Sequence, residues 1–181
     1  ESYVGLVEVG VGIIPAWGGC KEYLGRVKEF GLVSNGPMGA VMKAFEVIGT
    51  AQVAKSADQA RTMGFLGPND RITMNRDRLL SDAKKTLIEL SKDYSPPEPR
   101  TYSLPGPSGK AALELAVNDL ALSGKVTQHD IVVTNALAEI LTGGDTDITD
   151  ILEEDDILAM EKNAITTLAK NTDTLDRMQH M

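Results

Sequence analysis

Glycine and proline break the first nineteen residues of this chain every few positions, and that punctuation limits its fold most. The segment Val4-Gly5-Leu6-Val7-Glu8-Val9-Gly10-Val11-Gly12-Ile13-Ile14-Pro15-Ala16-Trp17-Gly18-Gly19 is nearly uncharged. Its β-branched residues favour strands, while its glycines forbid long ones. Short strands are therefore expected here. Gly18-Gly19 then opens a helix that runs to Phe30, with Gly31 as its stop.

Helical spacing dominates the rest. Pro37 suits a first helical turn, and Met38, Val41, Met42, Phe45 and Ile48 repeat at the helical period. Ser56 and Gln59 form a capping box for a short helix ending at Gly64, and Arg71–Met74 reads as a brief strand. Leu79, Leu80, Ala83, Leu87 and Leu90 then line one face of a longer helix. Residues 94–107, with Pro96-Pro97-Glu98-Pro99 and Pro105-Gly106-Pro107, read as a linker. Beyond it, helices are expected near 108–123, 128–142, 150–170 and 172–181. The run Ile131 to Leu141 is apolar nearly all round, and Asp150 with Glu153 forms another capping box. The expected division is 1–93, a linker at 94–107, and a helical domain at 108–181. The expected class is mostly α with a few short N-terminal strands.

Aromatic residues make up only 4%, so the core must be built from Leu, Ile, Val, Ala and Met. The one cysteine, Cys20, rules out an internal disulfide and any cysteine-rich zinc site, which fits a reducing compartment and a cytoplasmic location. No stretch of ~18 uninterrupted apolar residues is present, so membrane insertion is not expected. The opening Glu1-Ser2-Tyr3-Val4 is neither an initiator methionine nor a signal peptide, and reads as a chain cut from a longer one. The net charge of −8 is uneven: residues 1–110 hold 14 Lys/Arg against 12 Asp/Glu, and residues 111–181 hold 4 against 14. So acidic a second half repels nucleic acid and anionic membranes.

Several patterns invite a site and fall short. Gly10-Val11-Gly12 lacks the third glycine of a dinucleotide loop, because Pro15 stands there. Asp145–Asp150 lacks the glycine and glutamate of a calcium loop and reads as a helix-capping surface. No metal site is expected. Cys20, beside Lys21 at a helix start, has no histidine or second cysteine near it in sequence and reads as a small core residue. His129 and His180 are expected on helix surfaces. Lys21, Arg26 and Lys28 can meet anionic groups as point charges or form a solvated face. Glu8 stands out as a lone carboxylate in an apolar stretch. Poor solvation there makes a carboxyl a useful acid or base.

The Gly5–Gly19 string resembles the crotonase (enoyl-CoA hydratase/isomerase) family: a Val-Glu pair, a short apolar run with glycine, a proline, and Gly-Gly opening a helix. The match continues through Ile48-Gly49 and from Ala54 to Leu66, and so covers roughly the first third of the chain. Asp70–Asp77, Leu104-Pro105-Gly106-Pro107-Ser108-Gly109 and Leu141-Thr142-Gly143-Gly144 are similar to the tail of bifunctional 3-hydroxyacyl-CoA dehydrogenase/enoyl-CoA hydratases. The resemblance implies the C-terminal half of a crotonase-like β/β/α spiral plus a helical extension. It implies a CoA thioester as substrate, with Glu8 as an acid/base residue and Pro15, Trp17 and Gly18 against the substrate. Trp17 stands where the family commonly has a small residue.

Both oxyanion-hole segments of the family and its other glutamate precede the residues present here. The resemblance therefore implies a hydratase fragment inactive alone, adding water to trans-2-enoyl-CoA only in its parent. NAD would enter only through an upstream dehydrogenase domain, with no cofactor in this segment. Two alternatives stand beside it: an enoyl-CoA isomerase, which one carboxylate can serve, and a non-catalytic docking and oligomerisation module. A second copy of the chain is the expected cover for strand edges that the missing half would fill, giving a homo-oligomer.

Overall fold

A computed structural model describes residues 2–33 and 36–180. The elements run β1 (Val4–Gly5), α1 (Gly19–Glu29), α2 (Pro37–Gly49), β2 (Val53–Ala54), α3 (Ala57–Thr62), α4 (Leu79–Leu90), β3 (Thr101–Tyr102), α5 (Gly106–Leu122), α6 (Gln128–Thr142), β4 (Leu152–Glu153), α7 (Glu154–Leu168) and α8 (Thr172–Gln179). The chain is mostly helical with a few very short strands, as the punctuation predicts. β1 pairs antiparallel with β2, Val4 facing Ala54 and Gly5 facing Val53. β3 pairs antiparallel with β4, Thr101 facing Glu153 and Tyr102 facing Leu152.

Several local expectations shift. The N-terminal strands reduce to β1, because Glu8–Val11 winds into a 3-10 turn closed by Gly12 at φ 86°. Arg71–Met74 forms no strand. The second strand pair lies outside the N-terminal zone altogether. The capping box of α7 is Glu153 with Asp156, three residues later than expected. Asp150 is occupied elsewhere, its Oδ2 accepting from the Asp147 N–H at 2.9 Å, and Glu153 is held in β4. The last helix closes at Gln179, and Met181 lies outside the described residues.

The hydrophobic core does not respect the division that composition suggests. One cluster joins Val27, Val41, Val47 and Ile48 from before the proline-rich segment to Val133, Leu137, Leu141 and Ile157 from after it. α6 lies at the centre, packed by α5, α2, α7 and α1, which accounts for a helix apolar on nearly every side. The proline-rich stretch is itself partly interior: Tyr102 and Leu104 are buried, and Arg100 bridges Glu22 (2.9 Å) and Glu29 (2.7 Å) on α1. The physical reason is area. Helices α5 and α7 cover α6 from one half of the chain, and α1 and α2 cover it from the other. Helix α4 lies outside this packing and its apolar face is open, with Leu80 at 83% and Leu87 at 67% exposure.

One buried carboxylate joins the two ends of the chain. Glu161, on α7, is 0% exposed. Its Oε2 accepts from the Gly18 N–H at 2.6 Å and its Oε1 from the Lys21 N–H at 2.8 Å. Helix α1 begins with Gly18, which has no side chain to cap the free N–H groups of the first turn. A carboxylate 143 residues away supplies the cap instead, where the helix dipole favours negative charge.

Burial pushes the Glu161 carboxyl above its ordinary value of 4.5, against hydrogen bonds from Lys21, Gly18 and Cys20 that act to lower it. A carboxyl raised on folding holds its proton in the folded state after the unfolded one has lost it. Its contribution to stability therefore falls as pH rises from 4.5 through the raised value. Glu161→Ala should cost about 2–4 kcal/mol in denaturant unfolding, through an orphaned pair of N–H groups and a cavity. Glu161→Gln should cost about 1–2 kcal/mol, since its amide accepts only on one side, and should flatten the pH dependence that runs upward from pH 4.5.

Candidate functional site

Glu8 opens the 3-10 turn Glu8–Val11 and is half-buried. Its backbone carbonyl accepts from the Ile13 N–H at 3.2 Å, folding the chain back under the turn. Its Oε2 is fully buried and meets no hydrogen-bond donor among the described residues. A buried acceptor left in that state costs about 1–3 kcal/mol unless another molecule supplies a donor.

Helices from the far end of the sequence hold this turn. The Gly12 carbonyl accepts from the Thr174 hydroxyl on α8 at 2.8 Å. The same hydroxyl oxygen lies 2.8 Å from Nε2 of His129 on α6. His129, expected on a helix surface, is instead only 5% exposed, and Thr174 is 0% exposed. The reason is position: His129 precedes Val133 and Leu137 by one and two turns on the stripe of α6 that faces the core. Gly12 is required at its position. A Cβ there would lie 2.8 Å from His129 Nε2, on a backbone at φ 86°. Arg177 fastens α8 to the start of α6, pairing with Asp130 at 2.8 Å and donating to Thr127 Oγ1 at 2.9 Å. His180 is exposed, as its position predicts.

The three residues expected against a substrate part company. Pro15 and Gly18 are buried and shape the entry to α1. A Cβ on Gly19 would lie 2.7 Å from the Pro15 ring, so the Pro15–Gly19 spacing is a packing requirement. Trp17 is 100% exposed on a left-handed backbone at φ 66°, a conformation costly for a large side chain. Of the three, Trp17 alone offers a face that a ligand can reach. Cys20 is inaccessible, its thiol donating to the Pro15 carbonyl at 3.1 Å. Burial pushes that thiol well above the usual range, and the negative charges of Glu161 and Glu8 push it further. Two carboxylates from opposite ends of the chain thus converge on one thiol.

The basic residues of α1 are mostly committed to partners. Lys21 Nζ pairs with Glu154 at 2.8 Å and Glu22 at 3.0 Å. Burial works to lower its ammonium, yet hydrogen bonds to Glu154 and Glu22 outweigh that and hold it above its ordinary value. Arg26 donates to the Phe65 carbonyl at 3.0 Å. Lys28 lines a cleft of about 820 Å³ with Glu22, Glu29, Arg100 and Glu154, and Glu8 is not among its lining residues. Among the described residues, no group of three or more His, Cys, Asp or Glu is placed to hold a metal ion. Nor is any helix long and apolar enough to cross a membrane.

Glu161, His129 and Thr174 escape a motif search, although two of them leave a trace in sequence. Glu161 falls on the stripe Ile157, Ala164, Leu168, and His129 falls on the stripe Val133, Leu137. A polar residue in phase with an apolar helical stripe is the available signal.

No protein-family model matches this chain. No solved structure matches it either. Over its whole length it is similar to a probable 3-hydroxyacyl-CoA dehydrogenase of Bacillus subtilis (strain 168), at 38% identity across 183 aligned positions. The chain spans 23% of the length of that protein, less than a quarter of it.

The state of Cys20 has a direct chemical readout. An alkylating reagent at pH 8 should leave the folded chain unmodified and label it stoichiometrically in denaturant, with labelling tracking global unfolding. Rapid labelling under native conditions would mean that the α1 entry opens without unfolding.

Proposed function

We propose that this chain is part of a multifunctional 3-hydroxyacyl-CoA enzyme of fatty-acid β-oxidation, and that it carries one carboxylate of an enoyl-CoA hydratase site. The observation that carries the reading is the Glu8 carboxylate: half-buried, with one oxygen enclosed and no donor to satisfy it among the described residues. A water molecule or a hydroxyl at Cβ of an acyl thioester would supply that donor. Hydration of a trans-2-enoyl-CoA puts the water oxygen on Cβ and a proton on Cα, and Glu8 would serve as base toward the one or acid toward the other. The relative's name supports the context, since a 3-hydroxyacyl-CoA is what hydration of an enoyl-CoA produces. The crotonase resemblance of Gly5–Gly19 supports the role of Glu8, and Trp17, fully exposed, is available to the acyl group. On this reading, the oxyanion hole and the second carboxylate come from residues outside this chain, and the chain alone turns nothing over.

In the full-length protein, Glu8→Gln should lower kcat for hydration of a short trans-2-enoyl-CoA by about 10²- to 10⁴-fold. Oxidation of 3-hydroxyacyl-CoA by the same polypeptide should be unaffected. Hydration at the wild-type rate would remove Glu8 from the chemistry.

A second reading rests on α4. Its open apolar face, with Leu79, Leu80, Leu87 and Leu90 each more than half exposed, suits an interaction module that assembles with a second copy of the chain. Sedimentation equilibrium should then show a dimer or larger species, which Leu80→Lys with Leu87→Lys converts to monomer. A wild-type monomer at tens of micromolar would sink this reading.

A further inference from the structure

The turn that bears Glu8 is closed by Gly12, and the Gly12 carbonyl is held by Thr174, itself held by His129. We infer that His129 and Thr174 are positioning residues for Glu8: a two-bond relay from α6 through α8 that fixes where the Glu8 carboxylate stands. The inference rests on the hydratase reading above and extends it to the C-terminal helices.

For a neutral imidazole, the proton bookkeeping of the relay has one solution. The Gly12 carbonyl can only accept, so the single hydroxyl proton of Thr174 lies toward Gly12. The Thr174 oxygen then has lone pairs to offer, and His129 Nε2, at 2.8 Å, must carry a proton and donate. The tautomer is thereby set at Nε2–H. Nδ1 is left buried without a hydrogen-bond partner among the described residues, with the Asp173 carboxylate 3.8 Å away. A buried imidazole that leaves one nitrogen unsatisfied in order to direct the other costs stability. That cost makes sense where the directed proton holds something in place.

The relay also reaches its target by a short path. The Gly12 N–H donates to the Val9 carbonyl at 3.0 Å, and the Ile13 N–H donates to the Glu8 carbonyl at 3.2 Å, so a shift of Gly12 moves Glu8 with it. Thr174 and His129 are both interior, and Arg177 with Asp130 and Thr127 locks α8 to α6 beside them. With both side chains buried, the effect of the relay on chemistry passes through the geometry of Glu8.

The test compares Thr174→Val, which keeps the shape and deletes the hydroxyl, with Thr174→Ser, which keeps the hydroxyl, in the full-length protein, with Glu8→Gln as reference. Thr174→Val should lower kcat for enoyl-CoA hydration about 10- to 100-fold with KM within about twofold, as expected for a misplaced catalytic group. Thr174→Ser should restore most of the rate. If Glu8→Gln abolishes hydration while Thr174→Val keeps the wild-type kcat, the relay does not position Glu8. If Glu8→Gln itself leaves hydration intact, the hydratase reading fails, and this inference with it.

Should Thr174→Val fold poorly, His129→Leu against His129→Gln asks the same question, because a glutamine amide can replace the Nε2–H donor. A further readout needs no activity. Long-range proton–nitrogen NMR correlations of the 181-residue chain should show His129 as the Nε2–H tautomer. An Nδ1–H tautomer would break the relay as drawn.

Discussion

The capping of α1 by Glu161 is the contact on which the rest of the structure depends. Helix α1 starts at a glycine pair and has no local side chain to satisfy its first N–H groups. A carboxylate inserted from α7 satisfies two of them, at 2.6 and 2.8 Å, and does so in the interior where water cannot substitute. Such a contact is strong only while complete. Its carboxyl is held above the ordinary range by burial, so the arrangement carries a standing electrostatic penalty that the backbone donors and the helix dipole offset.

This contact also explains why the chain has one core. α7 cannot deliver Glu161 to α1 unless Ile157 and Leu168 on the same stripe enter the core beside Val27 and Leu137. Arg100 and Tyr102 make the same join from the proline-rich stretch, the first by bridging Glu22 and Glu29, the second through a hydroxyl that donates to the Lys21 carbonyl at 3.3 Å. The uneven charge of the sequence finds part of its use here. Glu154 and Glu161, from the acidic half, both turn toward Lys21 and the start of α1.

The neighbourhood of Glu8 is built by the same logic. A turn with two glycines cannot hold a defined geometry by itself, because glycine costs the most conformational entropy to order. Thr174 and His129 supply the restraint from helices far along the chain. The C-terminal helices therefore support the N-terminal segment from two directions, through Glu161 at α1 and through Thr174 at Gly12. Trp17 sits between these supports on a strained backbone, fully exposed. Its neighbours Pro15 and Gly18 serve the entry to α1, and so two residues that a motif would assign to substrate are committed to packing.

Sequence alone determined the local features that short-range chemistry decides. Gly31 and Gly64 stop their elements, Pro37 starts α2, the helices from 106 to 179 follow apolar spacing, and Cys20 is a core residue. The prominence of Glu8 was legible for the same reason, as a charge isolated among apolar neighbours. Tertiary structure alone decided that Glu8–Val11 is a turn and that α7 starts at Glu154, since strand pairing and distant hydroxyls compete for those residues. It also decided that His129, Thr174 and Glu161 are interior. A polar residue on an apolar stripe is ambiguous until its partner is known, and here each partner lies between 45 and 162 residues away, beyond the reach of any local pattern.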